Sequence, residues 1–322
     1  MIIDAIKGTA TSQHPPIRPP VSCPLKPLTM DCLLNIGGLH LLIAGTPWTD
    51  ATVPLNFRPF VCNGTDMPAA AATLSIETAD SLPDAPAGRP LSVSYNDLGK
   101  ASLHDAGTEW CVALTPCPGQ YPRLMHIDKG LRRAVIGLRA DDSYANFVID
   151  SMSRIFFSQF AASCGALMVH ASVVGCDSRA FLFMGKSGTG KSTHSRLWTE
   201  TFSGCTLLND DCPLITADDR GILVHGTPWS GKTPCWRKAS LPLCGIARLR
   251  QAPLNRFTPL SGIEAFVAFI PGMSVMTSDK KLYSAASSTA LTILDLTNTG
   301  ILECLPDSDA AVSCRKALDK EY

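Results

Sequence analysis

The sequence predicts a mixed α/β chain with α+β character, in which a β-rich part precedes a segment of alternating strands and helices. Three observations carry this. Short runs of alternating apolar and polar residues, separated by Pro, Gly, Asp and Asn, fill residues 30–140. From Ser143 to Cys164 the apolar spacing changes to three and four, with Phe147, Ile149, Met152, Ile155, Phe156 and Phe160 on one helical face. Strand and helix patterns then alternate to Tyr322, which predicts a central mixed sheet with helices against it.

Taken in order, residues 1–29 hold six of the 24 prolines and read as an extended or disordered lead, because proline cannot donate to a hydrogen-bond ladder. Residues 30–142 read as a β-rich accessory domain. It opens with two apolar stretches around Gly37-Gly38, a two-residue hairpin signal. Further strands are expected at 72–78, 91–95, 109–114, 124–127 and 134–138. Residues 143–322 form the third part: the helix just described, strands at 166–174 and 180–184, then a helix from Lys191 to Phe202 stopped by Gly204.

Composition narrows the function classes. The chain has 322 residues, long enough for more than one core. Its 28 basic and 28 acidic residues leave no net charge, so neither nucleic acid nor an anionic membrane surface is an expected partner. No apolar run reaches the roughly 18 residues of a membrane helix; Asp31, Asn35, two glycines and His40 break the nearest one. The N-terminus lacks the pattern of a signal peptide, and a cytoplasmic location is expected. The thirteen cysteines include no C-x-x-C pair and are expected to be reduced thiols acting as small hydrophobes.

Chemistry concentrates at Gly185-Lys186-Ser187-Gly188-Thr189-Gly190-Lys191-Ser192, which fits the Walker A pattern G-x-x-x-x-G-K-[ST]. The apolar strand AFLFM leads into it and a helix pattern leaves it. Glycines let backbone N–H groups turn toward phosphate oxygens, and the helix N-terminus adds partial positive charge. Lys191 can neutralise the β- and γ-phosphates of ATP, and the Ser192 hydroxyl can bind Mg2+. Downstream, the strand Leu207-Leu208 ends in Asn209-Asp210-Asp211, where one carboxylate can hold Mg2+ and the other can accept a proton. His170, in MVHAS, reads equally as a satisfied core histidine or as a group that orients a phosphate. In Gly226-Thr227-Pro228-Trp229-Ser230-Gly231-Lys232, Lys232 can close over phosphates and Trp229 can stack on a base. Arg237, Lys238, Arg248, Arg250 and Arg256 follow, one or two of which are expected to face the loop.

The order HAS, strand, GKSGTGKST, NDD resembles the catalytic core of the HPr kinase/phosphorylase family, which shares its nucleotide-binding core with ATP-dependent phosphoenolpyruvate carboxykinase. The resemblance covers residues 143–322 and extends through LLNDDCPLI, GTPWSGK and PLCGIARLRQAPLNRF. It implies a P-loop core on a mixed sheet, with ATP and Mg2+ as cofactors. Gly185 to Thr193 would hold the phosphates, Thr193 extending the set. Ser192 and Asp211 would hold the metal, Asp210 would be the base, and His170 would sit near the transferred phosphate. A homo-oligomer is also implied, since HPr kinases form hexamers. Ala171 stands where the family has glycine and Asn209 where it usually has alanine. GTPWSGK lies where E-[IV]-R-G-[LM]-G is expected, which argues against HPr as the acceptor.

The expected function is an ATP-binding kinase that transfers the γ-phosphoryl group to a hydroxyl of a protein, peptide or small molecule. Two alternatives stay open: a nucleotide-binding regulatory module without turnover, and a P-loop ATPase that hydrolyses without an acceptor.

Overall fold

The computed structural model describes residues 30–62, 68, 71–79, 85–86, 89–96, 99–219, 221–231 and 233–319. The proline-rich lead 1–29 and Lys232 lie outside them. Helices and strands are mixed, with two mixed sheets, as expected for an α+β chain. The chain divides into two compact units between Phe160 and Ala161, inside the helix that was expected to begin the third part.

The first unit is built on an eight-stranded sheet. Its strands are β1 (Met30–Ile36), β2 (Leu39–Thr46), β3 (Ala71–Thr78), β4 (Ser92–Asn96), β5 (Gly99–Asp105), β6 (Glu109–Thr115), β7 (Arg123–Asp128) and β8 (Arg133–Leu138), in the spatial order β1-β2-β3-β8-β7-β6-β5-β4. The β1–β2 hairpin turns at Gly37 and Gly38, whose φ values of 60° and 85° suit glycine. Both pairings of β3 are parallel, and the remaining pairs are antiparallel. Strand β5 was not expected: GKASLHD has little of the β-branched and aromatic content that marks a strand, and pairing with β4 and β6 decides it. Helix α1 (Ala145–Ser163) presents Val148, Ile149, Met152 and Phe156 as buried residues. Trp48 and Asn56 donate to Asn146 and Asp150 on it. Arg123, only 1% exposed, donates to Asp142 through Nε and Nη2 at 2.9 and 2.7 Å, and the Tyr121 hydroxyl donates to the same carboxylate.

The second unit holds a nine-stranded sheet. Its strands are β9 (Ala166–Met168), β10 (Ala171–Cys176), β11 (Arg179–Met184), β12 (Thr206–Asp211), β13 (Leu214–Asp218), β14 (Gly221–His225), β15 (Ser240–Gln251), β16 (Arg256–Leu260) and β17 (Asn298–Cys304). The main path runs β12-β10-β11-β15-β14-β13-β9, with β17 beside β15 and β16 beside β17. The strand expected across 166–174 breaks at Val169 and His170, where the His170 amide donates to the Gly272 carbonyl instead of a neighbouring strand. Helices α2 (Lys191–Thr201), α3 (Gly262–Phe269), α4 (Lys280–Asp295) and α5 (Ser308–Leu318) complete the unit. Trp198 of α2, Phe202 just after it, and Ala311, Cys314 and Leu318 of α5 pack with Phe181, Phe183, Ala247 and Leu249 of the sheet. Burying such a set supplies most of the driving force that holds helices to sheets.

One expectation is corrected here. Cys176 and Cys205 are disulfide-bonded rather than free. They flank the antiparallel β10–β12 pairing, in which Gly175 lies opposite Thr206, so register brings together two residues distant in sequence. Among the described residues, no helix is long and apolar enough to cross a membrane.

Candidate functional site

The site forms where four strands of the second unit end side by side. In β12, β10, β11 and β15, residues Asp211, Ala171, Met184 and Arg248 are successive partners in one row. The row brings the paired aspartates, His170 and the start of the glycine-rich loop together, although they are separated by dozens of residues in sequence.

The loop runs from Gly185 to Gly190 between β11 and α2. Lys186 O accepts from the Thr189 amide at 3.1 Å and from its hydroxyl at 2.6 Å, closing the turn. A Cβ on Gly185 would come within 2.4 Å of Thr189 Oγ1, so only glycine fits there. Gly188 and Gly190 have φ of 82° and 98°, the left-handed region that favours glycine. Gly190 is the N-cap of α2 and offers no side chain to the first N–H groups of the helix. Those donors are available to an anion. Lys186, Ser187 and Gly188 are exposed, whereas Thr189 and Gly190 are half-buried.

Lys191 folds back over this loop. Its Nζ lies 3.2 Å from Gly185 O and 2.9 Å from His170 Nε2. Burial lowers its pKa; Asp211 and Asp210 oppose that effect, and Arg248 adds to it. His170 Nδ1 is 2.7 Å from Asp211 Oδ1. A ring that donates from Nδ1 to the carboxylate presents a lone pair at Nε2, which is where the lysine donates. Asp211, His170 and Lys191 therefore form a continuous chain. The Cys212 thiol donates to the other oxygen of Asp211 at 3.2 Å.

The second aspartate has a different partner. Ser192 Oγ donates to Asp210 Oδ1 at 2.9 Å. Asp210 is 4% exposed, and its Oδ2 is buried with no hydrogen-bond partner. A buried carboxylate oxygen without a donor is costly and calls for a ligand, an ion or a water. Ser192 and Asp211, expected to share a metal, are thus engaged separately: the hydroxyl is on Asp210 and Asp211 is on His170. Thr193 is half-buried on the first turn of α2. Among the described residues, no group of three or more His, Cys, Asp or Glu side chains is arranged to hold a metal by itself.

The segment 226–231 lies against the aspartates. The Gly231 amide donates to Asp210 O, and Asp211 bridges Ser230. A Cβ on Gly231 would meet Asp210 O at 2.9 Å. Trp229, expected as a stacking platform, is 3% exposed and belongs to the core. Asn209, whose role the sequence did not reveal, is fully buried. Its Oδ1 accepts the Cys212 amide at 2.9 Å, and its Nδ2 donates to Trp229 O at 3.1 Å and to Thr227 Oγ1 at 3.3 Å. The Thr227 hydroxyl donates to Cys212 O at 2.8 Å. An asparagine interrupting an apolar strand was the available signal. Asn209 and the segment 226–231 are therefore one connected feature.

Helix α2 is anchored from beneath. The Trp198 indole donates to His194 Nε2 at 3.0 Å, and Ser195 Oγ lies 2.6 Å from Ser172 Oγ. Burial lowers the His194 pKa to about 4, so the ring is a neutral acceptor. Of the five cations considered, Arg248 belongs to the row, Arg256 pairs with Glu303, and Arg237, Lys238 and Arg250 are exposed; Gln251, which was not among them, reaches Gly188 O at 3.3 Å. No family model matches this chain, and neither does any curated protein.

Proposed function

We propose that the chain is an ATP-dependent phosphotransferase with an HPr-kinase-like P-loop core, moving the γ-phosphoryl group to a hydroxyl acceptor. The observation that carries this is the convergence of the glycine loop, Lys191, the Ser192–Asp210 pair and the Asp211–His170 pair at one end of the sheet. A structural turn has no need of an acid–base pair and a buried orphan carboxylate oxygen side by side.

The donor set fits Mg2+. That ion takes one or two protein oxygens and fills the rest of its shell with phosphate and water. Ser192 Oγ and Asp210 would hold it, which reverses the split expected from sequence. When bound, the ion neutralises charge on the β- and γ-phosphates. The loop amides and the N-terminus of α2 cradle phosphate oxygens. Lys191 exchanges its contacts with Gly185 O and His170 for phosphate oxygens. That exchange frees His170 Nε2 to accept the proton of the acceptor hydroxyl, and Asp211 stabilises the imidazolium that forms.

The test is ATP binding and turnover by the full chain with Mg2+, beside Lys191→Ala and Asp210→Asn. Lys191→Ala should weaken ATP binding about tenfold or more, the worth of one charge-assisted contact. Unchanged binding in that variant would sink the reading. Tight binding without transfer to any hydroxyl acceptor would favour a regulatory nucleotide binder.

A further inference from the structure

Arg248 is not explained by anything above. It is half-buried, and among the described residues it contacts no carboxylate. Among the described residues its hydrogen-bond partner is the Ala268 carbonyl in the last turn of α3, at 2.6 Å from Nη1. Its Cα partner in β11 is Met184, the residue before Gly185, so Arg248 leaves the sheet at the same edge as the glycine-rich loop. A half-buried guanidinium without a carboxylate is unfavourable unless an anion joins it.

Strand geometry says where that anion belongs. Ala247 and Leu249 pack with α2. Side chains alternate along a strand, so Arg248 emerges on the opposite face. Its partner Met184 is on that same face, with its methyl group where a Cβ on Gly272 would fall. The row from Asp211 to Arg248 crosses three inter-strand steps of about 4.8 Å, or about 14 Å. The Asp211–His170 pair stands at one end, Lys191 Nζ beside it, and the arginine at the other. A group passing from the loop to an acceptor near His170 lies between them.

We propose that Arg248 is a second cation of the phosphate site and engages the terminal phosphoryl group of the nucleotide from the face opposite α2. This rests on the phosphotransferase reading, but it adds a specific consequence: discrimination of a nucleoside triphosphate from a diphosphate. Arg248 donates to the γ-phosphoryl oxygens with the guanidinium N–H groups that Ala268 does not use. The competing account is that Arg248 only caps α3 through Ala268.

The two are separated by calorimetric titration of the full chain with Mg2+ and either ADP or the imido analogue of ATP. Arg248→Gln keeps a donor for Ala268 and removes the charge; Arg248→Lys keeps the charge. Arg248→Gln should lose about tenfold or more in affinity for the triphosphate analogue, with less than about twofold change for ADP. Arg248→Lys should retain most of the triphosphate preference, and Arg256→Gln, outside the site, should titrate like the native chain. An Arg248→Gln chain that titrates like the native one, or weakens equally for both nucleotides, overturns the proposal and leaves the phosphotransferase reading standing. A native chain that binds neither nucleotide overturns both. If Arg248→Gln fails to fold, Arg248→Met takes its place under the same criteria: a selective loss for the triphosphate analogue supports the assignment, and no change or equal weakening for both nucleotides refutes it.

Discussion

Replacing Asn209 by alanine tests the link between the aspartates and the segment 226–231. The side chain is fully buried, so no water replaces what is lost. The Cys212 amide loses its acceptor outright. Trp229 O loses the Asn209 amide, and the Thr227 hydroxyl, 3.1 Å away, has a single proton to divide between it and Cys212 O. One orphaned buried donor costs about 1–3 kcal/mol, and the neutral bond lost at the Trp229 carbonyl about 0.5–1.5 kcal/mol. Together these make about 3 kcal/mol. With a urea m-value of roughly 2 kcal/mol/M, that lowers the midpoint for this unit by about 1.5 M. Tryptophan fluorescence during equilibrium urea unfolding reads it, because Trp229 sits in the affected segment. Thr227→Val provides a double-mutant cycle, and the pair should be non-additive because both side chains serve one network. A midpoint shift below about 0.3 M, within the scatter of ordinary surface substitutions, would show that the network does not hold the segment in place.

Other predictions concern charge, redox state and the metal. Acid should destabilise the second unit through His194: its folded pKa of about 4 lies below the unfolded value near 6.5, so the unfolded chain takes up the proton first. Its contribution is complete above pH 6.5 and falls by up to about 3 kcal/mol as the pH drops to 4; His194→Gln should flatten that part of the stability–pH curve. In the first unit, Asp142→Ala strands the buried Arg123 guanidinium and should cost about 3–5 kcal/mol, read by thermal unfolding; a loss under about 1 kcal/mol would place the pair among weak surface bridges. Alkylation of the unfolded, unreduced chain followed by peptide mass analysis should leave Cys176 and Cys205 unmodified until reductant is added. Ser192→Ala and Asp210→Asn should each reduce the Mg2+ dependence of nucleotide binding more than Asp211→Asn does, whereas Asp211→Asn should chiefly slow transfer; an equal effect of all three would erase the division of roles.

Sequence and structure divide the explanation according to the range of the forces involved. Alternation along AATLSIET and along RAVIGL sufficed for β3 and β8, because side-chain direction in a strand is a local property. Gly37-Gly38 and the loop Gly185–Gly190 were legible for the same reason: left-handed backbone and close approach demand glycine at those positions. Pairing with its neighbours β4 and β6 made GKASLHD a strand, and contacts between more distant segments broke the strand at His170 and brought Cys176 to Cys205. Burial turned Trp229 from a candidate platform into core. The partners of Asp210 and Asp211 were likewise beyond a linear reading. Adjacent residues in a strand point to opposite faces, so one aspartate meets Ser192 and the other His170 once register sets β12 beside β10. The sequence by itself determined which chemical groups are present and which local turns they need. The tertiary structure alone decided which of them touch, because strand register is set by the whole buried sheet and not by any one segment.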